Sequence, residues 1–383
     1  MIHFDEFFVK LEDHLEQQLP CVAYRSPSEN NGHTKALLQM DNGIHNTIDY
    51  SESGFVFAPF EKNLTSFIIP EKEAEFMETE YPEPGTELRV REDIINHFPP
   101  EFLGDADRKD HEELIQKAIE EIEKGKLQKV VLARREKTDT QLTAIEIFTR
   151  LLKKYENAFV YLWFHPKTGL WLGATPETLL NVERTKFKTM ALAGTQKFKG
   201  ELEVDWGQKE KEEQQLVTDF ILENLKDIAT GEITAKGPYT SRAGNLLHIR
   251  TDISGYLAGN AGLKELINAL HPTPAVCGLP KELAEDFILE NEHYDREYYS
   301  GFLGELNMKK ETKRSSNRRN QENQAYGSIS RKSSLYVNLR CMKLEKGKAN
   351  LYIGGGITKG SDPSDEWEET VNKSYTIKSV LVK

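Results

Sequence analysis

The sequence is poor in cysteine, in basic charge and in long apolar runs, and each shortage excludes a class of protein. Its three cysteines, Cys21, Cys277 and Cys341, are odd in number and widely spaced, which predicts neither a disulfide framework nor a zinc site and fits a reducing cytoplasm. The net charge of −12 argues against a general nucleic-acid binder, because phosphate contacts need a basic face. No apolar run approaches the roughly 20 residues that span a bilayer, and the first residues lack the features of a signal peptide. We therefore expect a cytoplasmic protein that binds neither nucleic acid nor membrane.

The chemical motifs are unevenly distributed along the 383 residues. Residues 1–106 alternate short apolar runs with turn residues, which predicts sheet with helical decoration but no chemistry. Residues 107–383 hold every motif that follows. Within them, residues 307–334 are rich in Lys, Arg, Ser, Asn and Gln and almost free of apolar side chains, so we predict a flexible surface insertion there.

A glycine-rich stretch near the C-terminus is the most informative part of the chain. An apolar strand from Ala349 to Ile353 runs into three glycines at 354–356, where a ligand can approach the backbone with no Cβ in the way. This predicts an anion-binding turn. Asp362-Pro363-Ser364-Asp365 then supplies the N-cap chemistry for a helix from about Glu366.

Two predicted helices each carry a Glu-x-x-Glu pair on their apolar stripe. Glu366 and Glu369 share one helix face with Lys373, and Glu210 and Glu213 occupy the equivalent positions in a helix predicted over 206–228. One such pair alone is typical of a solvated helix end with acidic residues in its first turn. Two pairs favour a cage of oxygen ligands for Mg²⁺, and the absence of histidine from both helices disfavours zinc.

Two residues are candidates for proton transfer. Lys129 begins a β-branched run that reads as a buried strand; it either leads into the interior, where it can act as a base, or marks the solvated end of the strand. Glu177 interrupts an apolar and small-residue segment after another strand. A carboxyl in such surroundings tends to keep its proton and can donate it near neutral pH.

Four further stretches carry candidate ligand groups. His248 lies in an apolar strand, where a satisfied core histidine is the more common outcome. The segment 270–280 holds three prolines that keep a loop rigid, and 295–301 precedes a strand. Arg340 follows a strand, where its planar fork can clamp a carboxylate.

Taken in order, these stretches resemble the motifs of the chorismate-utilising enzymes, and most closely those of an isochorismate synthase. The blocks that carry the resemblance are Lys-Val-Val-Leu-Ala-Arg, Gly-Ala-Thr-Pro-Glu-Thr-Leu-Leu, Leu-Ala-Gly-Thr, Leu-His-Ile-Arg-Thr, His-Pro-Thr-Pro-Ala-Val-Cys-Gly-Leu-Pro, Asp-Arg-Glu-Tyr-Tyr-Ser-Gly, Asn-Leu-Arg-Cys and Gly-Gly-Gly-Ile with Glu-Trp-Glu-Glu-Thr. The resemblance implies a large single α+β domain, two packed and mainly antiparallel sheets with helices outside. Residues 1–106 would then be the N-terminal part of the same domain as the catalytic region 107–383.

The resemblance also implies a role for each candidate residue. Lys129 is the general base that activates water for attack on ring C2 of chorismate, and Glu177 is the general acid that protonates the departing C4 hydroxyl. Glu213 and Glu369 are direct Mg²⁺ ligands, with Glu210 and Glu366 close by or acting through water. The substrate-binding positions implied are Gly194, Thr195, His248, Tyr299, Arg340, Gly354, Gly356 and Lys373.

Related activities remain as alternatives. Lys129 favours attack by water over attack by ammonia, so no glutamine amidotransferase subunit is expected. Ala275 stands where salicylate synthases, which go on to eliminate pyruvate, resemble the aminating enzymes in having threonine; it favours stopping at isochorismate. Salicylate synthesis is the second hypothesis and a non-catalytic chorismate-binding protein the third. The sequence leaves open the pathway, menaquinone or siderophore, and the oligomeric state, monomer or homodimer. Thr175 and Cys277 depart from the serine that relatives often have.

Overall fold

The computed structural model describes residues 1–27, 32–80, 105–243, 246–259, 261–312 and 328–381. Within these ranges the helices are α1 (Phe4–Glu16), α2 (Asp105–Glu123), α3 (Ala144–Lys154), α4 (Gln208–Leu225), α5 (Leu263–Leu270), α6 (Lys281–Asn291) and α7 (Pro363–Lys378). The strands are β1 (Cys21–Arg25), β2 (His33–Gln39), β3 (Asn46–Thr47), β4 (Gly54–Ala58), β5 (Ser66–Pro70), β6 (Ala74–Glu80), β7 (Lys129–Asp139), β8 (Phe159–His165), β9 (Gly169–Thr175), β10 (Thr178–Glu183), β11 (Lys186–Lys197), β12 (Ala229–Ala243), β13 (Leu246–Leu257), β14 (Gly278–Leu279), β15 (Phe302–Thr312), β16 (Ser328–Val337), β17 (Cys341–Glu345) and β18 (Lys348–Ile357).

The strands form two nine-stranded sheets, and the described strand pairs are antiparallel. Sheet A has the order β14-β7-β18-β17-β9-β8-β1-β2-β6. Sheet B has the order β12-β13-β11-β10-β16-β15-β4-β5-β3. Both sheets combine early and late strands, so β1 to β6, from Cys21 to Glu80, complete the same two sheets that carry the motifs.

An aromatic layer fills the space between the sheets. Phe159 of sheet A stacks on Tyr336 of sheet B with ring centroids 4.1 Å apart, and Trp163 of sheet A stacks on Phe57 of sheet B at 4.9 Å. Large rings remove much apolar surface from water per residue, which makes this layer the main hydrophobic contact between the sheets.

The helices cover the outer faces of the sheets. Helices α1, α3 and α7 pack on sheet A through buried residues such as Phe7, Leu151 and Ile377. Helices α4 and α5 pack on sheet B through residues such as Ile221 and Leu266. The predicted α+β fold, with two packed antiparallel sheets and helices outside, is therefore confirmed. Within the described ranges, no helix combines the length and apolarity needed to span a membrane.

Helix α7 begins where its capping chemistry predicts. Asp362 Oδ1 accepts hydrogen bonds from the backbone N–H groups of Ser364 and Asp365, at 3.0 and 3.1 Å. Pro363 occupies the first turn, where its missing N–H costs nothing. The N-cap prediction is confirmed, although the helix starts three residues before the predicted Glu366.

The glycine-rich stretch at 354–356 and the segment around Gly194 are both parts of strands. Gly354, Gly355 and Gly356 continue β18 and pair with residues 131–133 of β7, so the prediction of an anion-binding turn is wrong. The segment around Gly194 lies inside β11, at a break in register between Ala193 and Gln196. Gly194 has a φ of +69°, a conformation that favours glycine. In both places the backbone pairs with a neighbouring strand that is distant in the sequence, so the local residue pattern does not reveal it.

The prediction of a flexible insertion at 307–334 is wrong for the residues at its two ends. Residues 307–312 belong to β15 and residues 328–334 to β16, and the two strands pair from Met308 with Lys332 to Thr312 with Ser328. Asn307 also donates two hydrogen bonds from Nδ2 to the carbonyls of Tyr50 and Glu52. The remainder, 313–327, lies outside the described residues.

The chain crosses between the sheets at points that lie close together. Pro176 and Glu177 join β9 of sheet A to β10 of sheet B, and residues 338–340 join β16 of sheet B to β17 of sheet A. The two crossovers are bonded to each other, since the Val337 N–H donates to the Glu177 carbonyl (3.0 Å) and the Ala174 N–H to the Arg340 carbonyl (3.1 Å). A third crossover, 280–301, is attached through Asn338, which donates to the Tyr298 carbonyl at 2.8 Å.

Candidate active site

A cavity lies beside these crossovers, and the candidate residues of the sequence gather around it. All of them line the cavity except Lys129 and Glu366, which lie directly behind lining residues. The residues that line it are Glu177, Gly194, Thr195, Glu210, Glu213, His248, Tyr299, Arg340, Gly354, Gly356, Glu369 and Lys373.

Lys129, at the start of β7, points into the interior and is fully buried. Its Nζ lies 2.8 Å from Oε1 of Glu213 on α4. The two side chains meet beside Gly356: a Cβ on that residue would stand 2.7 Å from Glu213 Oε1 and 3.2 Å from Lys129 Cε. The first distance is shorter than real Cβ contacts and the second is tighter than most of them, so a side chain at 356 would force the Lys129–Glu213 pair to shift.

Glu177 occupies the crossover between β9 and β10 and is buried. Its backbone N–H donates to Thr175 Oγ1 at 3.3 Å, which with the Val337 bond fixes the main chain. Burial raises the pKa of the Glu177 carboxyl from 4.5 to about 7, although the charges of Lys129 and Arg340 lower it. A carboxyl in this state retains its proton near neutral pH and can donate it.

His248 on β13 orients Arg340 at the second crossover. Its Nδ1 lies 2.8 Å from the carbonyl oxygen of Gly194, and its Nε2 lies 2.9 Å from a terminal nitrogen of Arg340. A carbonyl accepts and a guanidinium donates, so Nδ1 carries the proton and Nε2 accepts. Burial, together with the charge of Arg340, lowers the pKa of His248 to about 3, and the ring is neutral. In the cavity, His248 therefore orients the guanidinium of Arg340.

Tyr299 reaches the cavity from the third crossover. Its ring stacks on Tyr352 with centroids 5.5 Å apart, and a Cβ on Gly354 would lie 2.6 Å from its hydroxyl oxygen. Gly354 therefore makes room for the phenol in the way that Gly356 makes room for the Lys129–Glu213 pair. Two of the three adjacent glycines thus matter for the space that they leave inside a strand.

The acidic pairs of α4 and α7 gather at the same cavity, and lysines pair with three of their four carboxylates. Lys209 Nζ lies 2.5 Å from Glu366 Oε1, and Lys373 Nζ lies 2.7 Å from Glu369 Oε1 and donates to the Gly354 carbonyl at 3.0 Å. Burial raises the pKa of Glu366, an effect that Lys209 opposes and Glu369 reinforces. Burial also raises the pKa of Glu213, but Lys129 and the other two lysines outweigh it and hold that pKa below 4.5.

The chemistry of these carboxylates suits a divalent cation, but their spacing in the structure does not form a ligand cluster. Among the described residues, no three His, Cys, Asp or Glu side chains lie close enough together to hold a metal ion. The donor set is nonetheless made of hard carboxylate oxygens, which Mg²⁺ prefers. Glu366 Oε2 is buried and has no hydrogen-bond partner in the described part of the chain, which is costly for a carboxylate. The residues present therefore fit a cation that completes the site.

Sequence reasoning missed Lys209 and the pair Glu292–Arg296. Lys209 precedes Glu210 and lies one turn before Glu213, a spacing that places it on the acidic face of α4. Arg296 lies within the motif Asp-Arg-Glu-Tyr-Tyr-Ser-Gly, whose pattern assigns no role to the arginine. Its partner Glu292 carries no local signal, because their contact with β7 is visible only in three dimensions.

Comparison with known proteins gives matches to two family models. The sequence model of a family described as chorismate binding enzyme matches residues 76–313, and a second model with the same description matches residues 325–379. Together they cover the strands, helices and crossovers that surround the cavity.

Two curated relatives match over much of the chain. Isochorismate synthase MenF of Pasteurella multocida is 29% identical over 282 residues, which are 70% of this chain and 60% of the relative. The salicylate biosynthesis isochorismate synthase of Pseudomonas aeruginosa is 29% identical over 290 residues, 73% of this chain and 56% of the relative. The chain thus spans less than two thirds of the length of either protein.

A solved structure shares the fold. That of MenF, the menaquinone-specific isochorismate synthase of Escherichia coli, superposes with a TM-score of 0.73 at 23% identity, covering 95% of this chain and 89% of that chain. At this identity the likeness supports the architecture of two packed sheets, and the chemistry has to be argued from the side chains.

Proposed function

The chain belongs to the chorismate-binding enzyme family, and on that premise we propose that it is a Mg²⁺-dependent isochorismate synthase. The reaction adds water at C2 of the chorismate ring and expels the C4 hydroxyl. One observation carries the proposal: a buried carboxyl of raised pKa, Glu177, lines the cavity, and a buried lysine, Lys129, lies directly behind it, 2.8 Å from the lining residue Glu213. A protein that only binds chorismate needs neither proton-transfer group.

Lys129 is the proposed base and Glu177 the proposed acid. Water is a poor nucleophile and hydroxide a poor leaving group, so the reaction needs one group that takes a proton from the attacking water and another that gives a proton to the departing oxygen. One water enters and one leaves, and the same two groups serve in the reverse direction. Because Lys129 Nζ lies 2.8 Å from Glu213 Oε1, the base function requires that Glu213 be engaged by another cation when substrate is bound, so that the lysine nitrogen can face the attacking water.

Glu213 and Glu369 are the proposed direct Mg²⁺ ligands, with Glu210 and Glu366 nearby or acting through water. When bound, the ion supplies positive charge that holds the ring carboxylate of the substrate and reduces repulsion between it and the glutamates. The charges support this assignment. In the metal-free protein, Lys129, Lys209, Lys373 and Arg340 balance Glu210, Glu213, Glu366 and Glu369, and a divalent cation and a substrate with two carboxylates add charges that cancel each other.

Arg340 and Tyr299 are proposed to bind the second carboxylate, that of the enolpyruvyl group. A guanidinium presents a planar fork that matches a carboxylate, and His248 holds that fork in one orientation. Gly194, Thr195, Gly354 and Gly356 line the cavity with little side-chain bulk, and Lys373 adds positive charge. Chorismate, an organic dianion, is the substrate class that this arrangement suits.

Product analysis tests the proposal directly. Purified protein with chorismate and Mg²⁺ should yield isochorismate on chromatography, and EDTA should abolish turnover. Lys129→Ala should lose product formation by at least about a hundredfold, the lower end of a general base's contribution, while retaining Mg²⁺-dependent substrate binding. Lys126→Ala, an exposed lysine three residues earlier, is the matched control and should behave as wild type.

Two results would contradict the assignment. Retained turnover in Lys129→Ala would exclude that residue as the base. Salicylate and pyruvate in stoichiometric amounts would replace isochorismate synthase with salicylate synthase as the activity.

A further inference from the structure

Three lysines hold three of the four cavity glutamates, and the lysines come from three different elements. Lys129 of β7 pairs with Glu213, Lys373 of α7 pairs with Glu369 on its own helix, and Lys209 of α4 pairs with Glu366 on α7. In the absence of a metal, the carboxylates therefore have ammonium groups as their counter-ions.

Lys209 differs from the other two lysines in its surroundings. Lys129 is fully enclosed, and Lys373 is additionally bonded to the Gly354 carbonyl. The Lys209 side chain is 36% exposed, whereas the carboxylate that it holds, Glu366, is 3% exposed. A half-exposed lysine can withdraw its charge into water by rotating its stem, but Glu366 cannot leave the interior.

The Lys209 ammonium also lies within the field of several glutamates. It is bonded to Glu366 Oε1, and the charges of Glu369 and Glu213 act on it as well. The other oxygen of Glu366 is buried without a hydrogen-bond partner among the described residues. Lys209 therefore lies near three carboxylates from two helices, and its bond to Glu366 leaves the second oxygen of that carboxylate unsatisfied.

We propose that Lys209 is the built-in counter-ion of the metal-free site and that it must release Glu366 for a divalent cation to bind. This inference rests on the proposed function, because it concerns the same carboxylates. A divalent cation at Glu366 and an ammonium held against the same carboxylate would repel each other, so the metal and Lys209 compete for Glu366. Lys209 thereby offsets the repulsion between the buried glutamates in the metal-free protein, and it weakens their binding of a metal ion.

The consequence for affinity has a definite sign. Removing the ammonium relieves the competition, so a neutral side chain at 209 should tighten Mg²⁺ binding. Since the two like charges would be only a few ångströms apart, we expect the dissociation constant for Mg²⁺ to fall roughly tenfold. The same change leaves Glu366 buried without its counter-ion, so the metal-free protein should become less stable. If Lys209 instead helps to hold the metal site together, its loss should weaken binding.

Calorimetric titration of Mg²⁺ into EDTA-treated, substrate-free protein tests this without an activity assay. Lys209→Gln and Lys209→Met should each bind Mg²⁺ about tenfold more tightly than wild type. Their melting temperature should be lower without metal and should rise more on adding Mg²⁺ than that of wild type. Lys209→Arg retains the charge, and Lys211→Gln removes an exposed charge from the same helix; both should stay within about twofold of wild type.

The outcomes separate this inference from the proposed function. Equal or weaker Mg²⁺ binding by both neutral variants, with the Lys211→Gln control unchanged, overturns the role of Lys209 and leaves the reaction untouched. Tighter binding by the neutral variants supports the role of Lys209 whatever product the enzyme forms. Failure of every variant and of wild type to bind Mg²⁺ overturns both the metal site and the competition.

Discussion

Glu177 illustrates how a single position acquires chemistry from its surroundings. Its carboxyl is buried at a crossover, and the cost of burying a charge outweighs the two cations that act on it, Lys129 and Arg340. The folded protein therefore binds this proton more tightly than the unfolded chain does. A proton held in this way is available to a leaving group at neutral pH, and its retention also affects stability.

The first prediction concerns the pH dependence due to Glu177. Since its pKa rises from 4.5 to about 7 on folding, its protonation stabilises the fold fully below 4.5, and that contribution is lost as the pH rises through about 7. Glu177→Gln, which cannot ionise, should become progressively more stable relative to wild type between about pH 5 and 8. Urea denaturation of both proteins across this range measures the difference.

Activity provides the companion measurement for Glu177. Wild-type turnover should decline above about pH 7, as the acid loses its proton, and Glu177→Gln should be inactive at every pH while still binding substrate. A constant stability difference across the pH range, or an active Gln variant, would show that Glu177 is not the acid described here.

At the scale of elements, a buried ion pair holds β7 in place. The pair is Glu292 and Arg296, which belong to the third crossover and not to the strands beside β7. Arg296 donates to Glu292 at 2.5 and 2.7 Å, to the Val131 carbonyl at 2.7 Å and to the Val276 carbonyl at 3.1 Å. Glu292 accepts from the Ala133 N–H at 2.7 Å. Val131 and Val276 both line the cavity, so this pair joins two of its walls and the strand that carries Lys129.

The second prediction removes one partner of this pair. Arg296→Met leaves the Glu292 charge buried and unpaired, and should cost about 3–5 kcal/mol of unfolding free energy. The double variant Arg296→Met with Glu292→Gln removes that charge and keeps an acceptor for the Ala133 N–H, so it should recover part of the loss. Denaturant unfolding measures all three proteins.

A further variant separates positioning from stability. Arg296→Lys keeps the charge but has only three N–H donors and no planar fork, so it cannot reproduce the four hydrogen bonds of Arg296 and should raise KM for chorismate by displacing Val131 and Val276, even at temperatures where it is fully folded. If Arg296→Met unfolds no more easily than the double variant, the unpaired-charge argument is wrong.

At the scale of the molecule, the site exists because the chain crosses between the two sheets at several points beside one cavity. Glu177, Tyr299 and Arg340 lie on crossovers, while Lys129 and the acidic helices approach from strands and helices on either side. The bonds of Asn338 to Tyr161 (2.6 Å) and Tyr298 (2.8 Å) tie these crossovers together. The relative position of the proposed acid and base is thus set by the packing of the two sheets.

The third prediction compares two deletions in the β15–β16 hairpin. Replacing 313–327 with Asn-Gly should preserve folding and turnover, because Thr312 and Ser328 face each other in the antiparallel register and a two-residue turn can join them. Deleting all of 307–334 should abolish folding, since it also removes the β16 residues that pair with Asn181, Val182 and Glu183 of β10. Melting curves and product assays distinguish the two; loss of folding in the shorter deletion would contradict the argument.

Local patterns in the sequence predict those features that depend on neighbours along the chain. Helix periodicity places Glu210 and Glu213 on α4, and Glu366 and Glu369 on α7, and the capping residues around Asp362 locate the start of α7. The family motifs predict the two antiparallel sheets and their outer helices. The prediction fails where a distant strand decides, as at Gly354–Gly356, which pair with β7 and form no turn.

By itself, the sequence determined which groups are present: a lysine, an isolated glutamate, two acidic pairs and an arginine, on helices and strands whose type follows from short-range spacing. Only the tertiary structure decided how these groups are charged and paired, because burial and distance are properties of packing. Lys129 lies inside and not at a solvated strand end, Lys209 reaches Glu366 across two helices, and the Glu177 carboxyl retains its proton for this reason.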